Sequence, residues 1–327
     1  MKEISPIPRK GIYELYWKFA YERQKAFENR AEGKPSPWSN DKIIQEYKFC
    51  NAYRAADRVS QFLIRNICYS QEKIKPEDKL FQITAFRIFS NINTWQQLSH
   101  KLGHSPKLDD LKNNLFEKSL NEIKDEVGKL YTGAFILCAT NAYGRDLKHL
   151  NHIELLKNMF LNQKIGKKIL AAASLKEIYL LLHSFPLMGD FMSYQIAIDL
   201  NYCDLINFSE NDFTKAGPGA KRGINKVFQN KNGLSDEEII MWMVHNQNKE
   251  FTRLGYKFNG LYGRKLHAID CQNIFCETDK YCRVAAPKLK SNRTKIKSHF
   301  HKSTEPIKLF FPPKWDINKN ISQSGKQ

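Results

Sequence analysis

The sequence predicts an all-α protein. Apolar residues recur at helical spacing along most of the 327 residues, and several such stretches open with Ser or Thr three positions ahead of Glu or Gln, the spacing of a capping box. No convincing run of alternating β-branched residues interrupts them; residues 131–139 come nearest to a strand and read equally well as helix.

Residues 40–67 contain neither Gly nor Pro and read as one long helix. Within it Arg54, Asp57, Arg58, Gln61 and Arg65 fall on one polar stripe, opposite Ala52, Ala56, Val59 and Leu63. Such a stripe is either a solvated exterior or, because its bases are all Arg, a surface for planar phosphate or base groups. Pro76 suits a first helical turn, where a missing N–H costs little, and Ser105-Pro106 offers another start. Thr94 with Gln97, Ser174 with Glu177, and Ser235 with Glu238 match the capping box.

Residues 183–200 (HSFPLMGDFMSYQIAIDL) read as the end of one helix, a Pro-x-x-Gly turn and a second helix. Gly189 would let another backbone approach closely, and the amides opening the second helix would hold a phosphate oxygen, although such corners commonly serve connectivity alone. Residues 209–223 (SENDFTKAGPGAKRG) concentrate turn formers and form a loop. In residues 263–281 (GRKLHAIDCQNIFCETDKY), Asp270, Asn273, Glu277 and Tyr281 share one stripe, while apolar residues spread over several faces. That pattern places the helix in the interior with partly buried carboxylates, which either pair with the Arg stripe or serve a site. Beyond Pro312-Pro313 the polar ending reads as frayed.

Lys and Arg total 52 against 34 acids, a net charge of +18, which favours a polyanionic partner such as nucleic acid. Residues 280–304 add eight Lys or Arg and no acid. Apolar stretches are too short to span a bilayer and no secretory signal opens the sequence, so a soluble, cytoplasmic protein is expected. Of seven cysteines, Cys271, Cys276 and Cys282 cluster without CxxC spacing, so reduced, packed thiols and no metal are expected.

The turn at residues 185–189 (FPLMG) resembles the helix–hairpin–helix of the HhH-GPD DNA glycosylase superfamily, without that motif's first glycine. Three segments resemble the α-glutamyl/putrescinyl thymine pyrophosphorylase family, clade two, a branch of that superfamily tied to hypermodified phage DNA. They are residues 51–61 (NAYRAADRVSQ), 210–220 (ENDF through AGPGA) and 269–277 (IDCQNIFCE). The resemblance implies a two-lobed helical glycosylase-like fold over residues 1–302, with hairpin and catalytic loop at about 174–223 and a basic, polar tail at 303–327.

The expected activity is a monofunctional DNA N-glycosylase that flips out and excises a hypermodified pyrimidine, such as glucosylated 5-hydroxymethylcytosine in phage DNA, as antiviral defence. The resemblance places its catalytic carboxylate at Asp212, with Glu210 as fallback; Asp212 also reads as a helix N-cap. Phe191 occupies the position of the superfamily's lyase lysine, so abasic product without strand cleavage is expected. Arg54, Arg58, Gln61, Asp270, Gln272, Asn273 and Glu277 are the expected base pocket or its support. Met188, Gly189, Lys215, Lys221, Arg222 and Arg264 are the expected backbone contacts. No cofactor and no obligate protein partner are expected beyond DNA. Two alternatives stay open: a transferase that replaces the pyrophosphate of modified hydroxymethyluracil with an amine, and a non-enzymatic nucleic-acid-binding module.

Overall fold

The computed structural model describes residues 4–132, 140–289, 291–302 and 308–321. Helices dominate, as expected. The chain divides into two compact units, the first built from residues 1–57 and 213–327 and the second from residues 58–212. Among the described residues, no helix is long and apolar enough to cross a membrane.

The first unit opens with β1 (Ile7–Pro8), α1 (Ile12–Ala31) and α2 (Lys42–Glu46). The second unit then contributes α3 (Arg58–Phe62), α4 (Pro76–Phe89), α5 (Ile92–Leu102), α6 (Leu108–Lys112) and α7 (Leu115–Val127). It continues with α8 (Lys148–Lys157), α9 (Ile165–Leu170), α10 (Leu175–His183) and α11 (Asp190–Leu200). Back in the first unit follow α12 (Pro218–Val227), β2 (Phe228–Asn230), α13 (Asp236–Arg253), α14 (Ala268–Ala285) and the short α15 (Asn318–Ile321). β1 and β2 pair antiparallel as a two-stranded ribbon.

The first unit's core is aromatic. Tyr16 of α1 meets Phe275 of α14 with ring centroids 4.6 Å apart, and Trp17 meets Phe251 of α13 at 5.1 Å. Burying each such ring stabilises the fold by roughly 1.5–3 kcal/mol. α12 lies hard against α14: a Cβ at Gly219 would collide with Cys276 Sγ, and one at Gly223 with the Phe275 carbonyl. In the second unit α4 is buried from Asp78 to Phe89. Its Arg87 is enclosed with Asp199 of α11, in a bidentate pair whose longer arm, Nη2 to Oδ1, is 3.2 Å.

Three of the expected helix starts hold. Pro76 is the first residue of α4, Ser174 Oγ accepts the Glu177 N–H at 3.1 Å, and Ser235 and Glu238 close a reciprocal box. Two shift. Thr94 lies inside α5, which Asn91 caps; its hydroxyl instead donates to the Leu130 carbonyl at 2.9 Å. Pro106 precedes α6 and accepts from Gln82 Nε2 at 3.0 Å.

Residues 40–67 are not one helix. α2 ends at Glu46, the chain extends through Tyr47, a 3-10 turn covers Arg54–Ala56, and α3 runs into a π turn over Leu63–Cys68. Arg58 and Arg65 are exposed whereas Arg54 and Gln61 are buried, so the expected single stripe does not exist. Residues 133–139, most of the strand candidate, lie outside the described residues.

Candidate functional site

The break in residues 40–67 is imposed by the polar face of α14. Asp270 Oδ1 accepts the Arg54 N–H at 3.0 Å, Asn273 Nδ2 donates to the Asn51 carbonyl at 3.0 Å, and Glu277 Oε2 accepts the Cys50 N–H at 2.9 Å. One turn further on, the Tyr281 hydroxyl donates to Asp41 Oδ2 at 2.6 Å. Each member of the stripe therefore grips the segment that sequence periodicity assigns to a helix. Buried backbone amides must find partners, and here α14 supplies them in place of a helical ladder. In these contacts the α14 carboxylates of Asp270 and Glu277 accept backbone amides.

A local bond pair completes the turn: Asp57 Oδ1 accepts the Asn51 N–H at 2.8 Å, and Asn51 Nδ2 donates to the Ala56 carbonyl at 2.8 Å. Asp57 thereby stands within electrostatic reach of Arg23 of α1 and of Glu277 of α14. Burial raises its carboxyl to about 6, against the opposing pull of the Asn51 bond and of Arg23, while Glu277 adds to the rise. Arg23 is only half-buried, yet enclosure by protein lowers its guanidinium pKa, and Asp57 is the first charge to oppose that fall. Burial and the Glu277 carboxylate push the Cys50 thiol well up, which leaves it protonated and unreactive.

Arg23 and Cys50 are absent from the pocket expected from sequence, and Asp57 figures there only in the stripe. A signal for Arg23 exists: Tyr16, Ala20, Arg23 and Phe27 fall at i, i+4, i+7 and i+11, and the other three are buried. A cation in the middle of an apolar stripe is costly unless something meets it.

A basic edge adjoins the gripped segment. Residues 291–302 run extended against the start of the gripped segment: Lys48 N–H donates to the Ser298 carbonyl at 3.0 Å and Phe300 N–H to the Glu46 carbonyl at 2.9 Å. Ile296 is buried there, while Lys295, Lys297 and His299 are exposed. Lys280 adds its ammonium 3.3 Å from Glu277 Oε2 and 4.7 Å from the Phe49 ring centroid.

The remaining expected residues scatter. Asp212 is exposed on a turn of the second unit, with its N–H on the Ser209 carbonyl at 3.3 Å, and it caps no helix, since α12 begins at Pro218 after Gly217. Glu210 is buried in the same unit. Gln272 is buried on α14. A short turn joins α10 to α11, but it is Leu187 that takes positive φ, at 71°, while Gly189 has φ −73° and open space where a Cβ would be. Asp190 puts its own carboxylate at the start of α11, where it accepts from the Tyr179 hydroxyl at 2.8 Å. Met188 is buried; Lys215 faces Glu237 at 3.4 Å; Lys221 is exposed; Arg222 is held by Asp279 at 3.1 Å; and the Arg264 guanidinium lies 3.8 Å from the Trp315 ring centroid. Burial raises the thiols of Cys271, Cys276 and Cys282.

Residues 10–291, which carry α1, the gripped segment and α14, match the family model described as 5-hmdU DNA kinase, helical domain. The chain belongs to this family. A 5-hmdU DNA kinase of Bacillus phage SP10 is 21% identical over 302 residues, covering 85% of this chain and 46% of the phage protein. The chain thus spans about half the length of that curated relative. No solved structure matches it.

The 5-hmdU DNA kinase family corrects the expected chemistry. A kinase transfers a phosphoryl group, whereas a glycosylase hydrolyses an N-glycosyl bond, so both the excision reaction and the hydrolase class are overturned. With excision goes the reason for giving Asp212 or Glu210 a sugar cation to stabilise. The resemblance holds at the level of phage enzymes of modified-base DNA and not at that of the glycosylase clade.

Proposed function

We propose that this chain acts on DNA bearing a 5-hydroxymethylated pyrimidine, in the service of phosphorylating that base, and that it supplies the side that receives the DNA. The observation that carries this reading is the family match across residues 10–291. The net charge of +18 and the exposed Lys295 and Lys297 beside the gripped segment support a polyanionic acceptor.

In the reaction the hydroxymethyl oxygen attacks the terminal phosphorus of a nucleoside triphosphate. The O–P bond to the base forms, the bond to the leaving diphosphate breaks, and the hydroxyl proton passes to a base. Positioning and charge stabilisation do most of the catalysis in such transfers. The 327 residues contain no G-x-x-x-x-G-K stretch followed by Ser or Thr, the loop that cradles phosphates in many nucleotide-binding proteins. The triphosphate is accordingly not assigned to this chain.

The test is binding of fluorescent duplexes that differ only in one 5-hmdU or thymidine, across a salt series. Preference for 5-hmdU at each salt concentration is the expected result. Equal affinity for the two duplexes overturns the proposal.

A further inference from the structure

From Arg222 of α12 and the cations that share the buried Asp279 with it, we infer a site for one phosphate of a DNA backbone, at the head of the basic edge. This rests on the proposed function and goes beyond it, because it commits one phosphate to one side chain that the protein holds in place.

The site is built from a helix pair upward. Gly219 and Gly223 let α12 lie against α14, since a Cβ at either would collide with Cys276 or Phe275. That approach brings Arg222 and Lys226, one turn apart on α12, to the same carboxylate of α14. Asp279 is fully buried. Its Oδ2 accepts from Arg222 Nε at 3.1 Å and from Arg283 Nη2 at 2.8 Å. Its Oδ1 lies 2.9 Å from Lys226 Nζ and accepts from Ser291 Oγ at 3.4 Å. Burial would raise this carboxyl, but the three cations hold it below its ordinary value, so it stays ionised.

Three cations therefore face one carboxylate, and none of them makes another ion pair among the described residues. The surplus is two positive charges in a largely enclosed place, where charge is costly unless it is met. Acceptors fall short as well. Arg283 Nε is buried without a partner, and Arg222 donates through Nε alone. The Nη1 and Nη2 of Arg222 have no acceptor among the described residues and are not sealed off, the side chain being 19% exposed. Arg222 is thus a guanidinium fixed from behind with its two-pronged end open.

Such a fork matches two oxygens of one phosphate, and a guanidinium already pinned by a carboxylate loses little freedom on binding them. The surroundings favour a backbone phosphate over a free one. Arg283 also donates Nη1 to the Lys295 carbonyl at 3.2 Å, so the cluster that pins Arg222 anchors the basic edge too. Along that edge Arg293, Lys295 and Lys297 stand exposed. The positive charge runs on as a line instead of closing around a point, which suits a polyanion.

The experiment measures affinity for a plain thymidine-containing duplex across a salt series, and maps arginines modified by phenylglyoxal with and without that duplex. Arg222→Gln should bind roughly tenfold more weakly, with a salt slope lower by about 1. Arg222→Lys keeps the charge and not the fork, so it should keep the slope and recover only part of the affinity. Lys226 and Arg283 still neutralise Asp279 in both variants, so their thermal midpoints should stay near that of wild type. In wild type the duplex should protect Arg222 from modification, a readout that needs no variant to fold. Wild-type affinity in Arg222→Gln, full recovery in Arg222→Lys, or equal modification of Arg222 with and without DNA overturns the inference. Failure of the proposed function is separate, since it appears as equal binding of 5-hmdU and thymidine duplexes by wild type.

Discussion

Glu277 accepts the backbone N–H of Cys50 across 227 residues of sequence, and this bond joins an interior helix to a segment that would otherwise coil. Replacing Glu277 with Ala leaves the Cys50 amide without its acceptor and Lys280 without its carboxylate. An orphaned buried amide costs about 1–3 kcal/mol, so the urea midpoint should fall accordingly. Glu277→Gln keeps an acceptor and should lose less.

Gly223 and Gly189 make a matched pair. A methyl at Gly223 drives into the Phe275 carbonyl, whereas one at Gly189 meets nothing within 4 Å and needs no unusual φ. Gly223→Ala should destabilise by about 1–3 kcal/mol through overpacking of α12 on α14. Gly189→Ala should leave the denaturation curve within about 0.5 kcal/mol of wild type. Equal effects of the two would refute the close approach of α12 and α14.

Burial raises the Asp57 carboxyl from 3.8 to about 6, so the folded state holds that proton more tightly than the unfolded chain does. The resulting stabilisation is complete below about pH 3.8 and is lost as pH rises through about 6. Asp57→Asn has no such titration. The wild-type unfolding free energy minus that of Asp57→Asn should therefore decline across this window and flatten above it. Asp41 and Asp279 slope the opposite way in both proteins: burial would raise them, but bonds from Tyr281 and Lys18, and from Arg283, Lys226 and Arg222, leave both low. The difference between the two proteins cancels them.

Arg293, Lys295 and Lys297 lie exposed on the basic edge. Changing each to Gln should flatten the plot of log affinity for duplex DNA against log salt by about 0.9 for every phosphate that is no longer neutralised. The preference between bases should not move, because binding to phosphates carries no sequence information. An unchanged slope in the triple variant would place the DNA elsewhere.

Much of the helical fold is legible locally. Pro76, Ser174 and the Ser235–Glu238 pair announce their helices because the atoms that satisfy the first turn are adjacent in sequence. The α14 stripe is also readable, since Asp270, Asn273, Glu277 and Tyr281 keep helical spacing among apolar neighbours. What the stripe bonds is not. Residues 47–53 hold no Gly or Pro, and the acceptors of the Lys48 and Cys50 amides lie more than 200 positions away. Asn91 takes the capping role expected of Thr94 for the same reason, as Thr94 finds a better partner in Leu130. On function, short motifs lead to modified-base DNA enzymes but misjudge the bond being made or broken, because such motifs report a fold and a kind of substrate more readily than the chemistry done on it.

The first unit is assembled from both ends of the chain, with residues 58–212 inserted in sequence between its halves. On a ribosome adding ~5–20 residues per second, Cys50 waits roughly 11–45 s for Glu277 to be synthesised. During that interval the aromatic flank of α1, with Tyr16 and Trp17, has neither Phe275 nor Phe251 to cover it. The nascent polypeptide thus carries a sticky leading arm while its middle can already condense, so heterologous expression should improve with slower, cooler translation or added holdase chaperone.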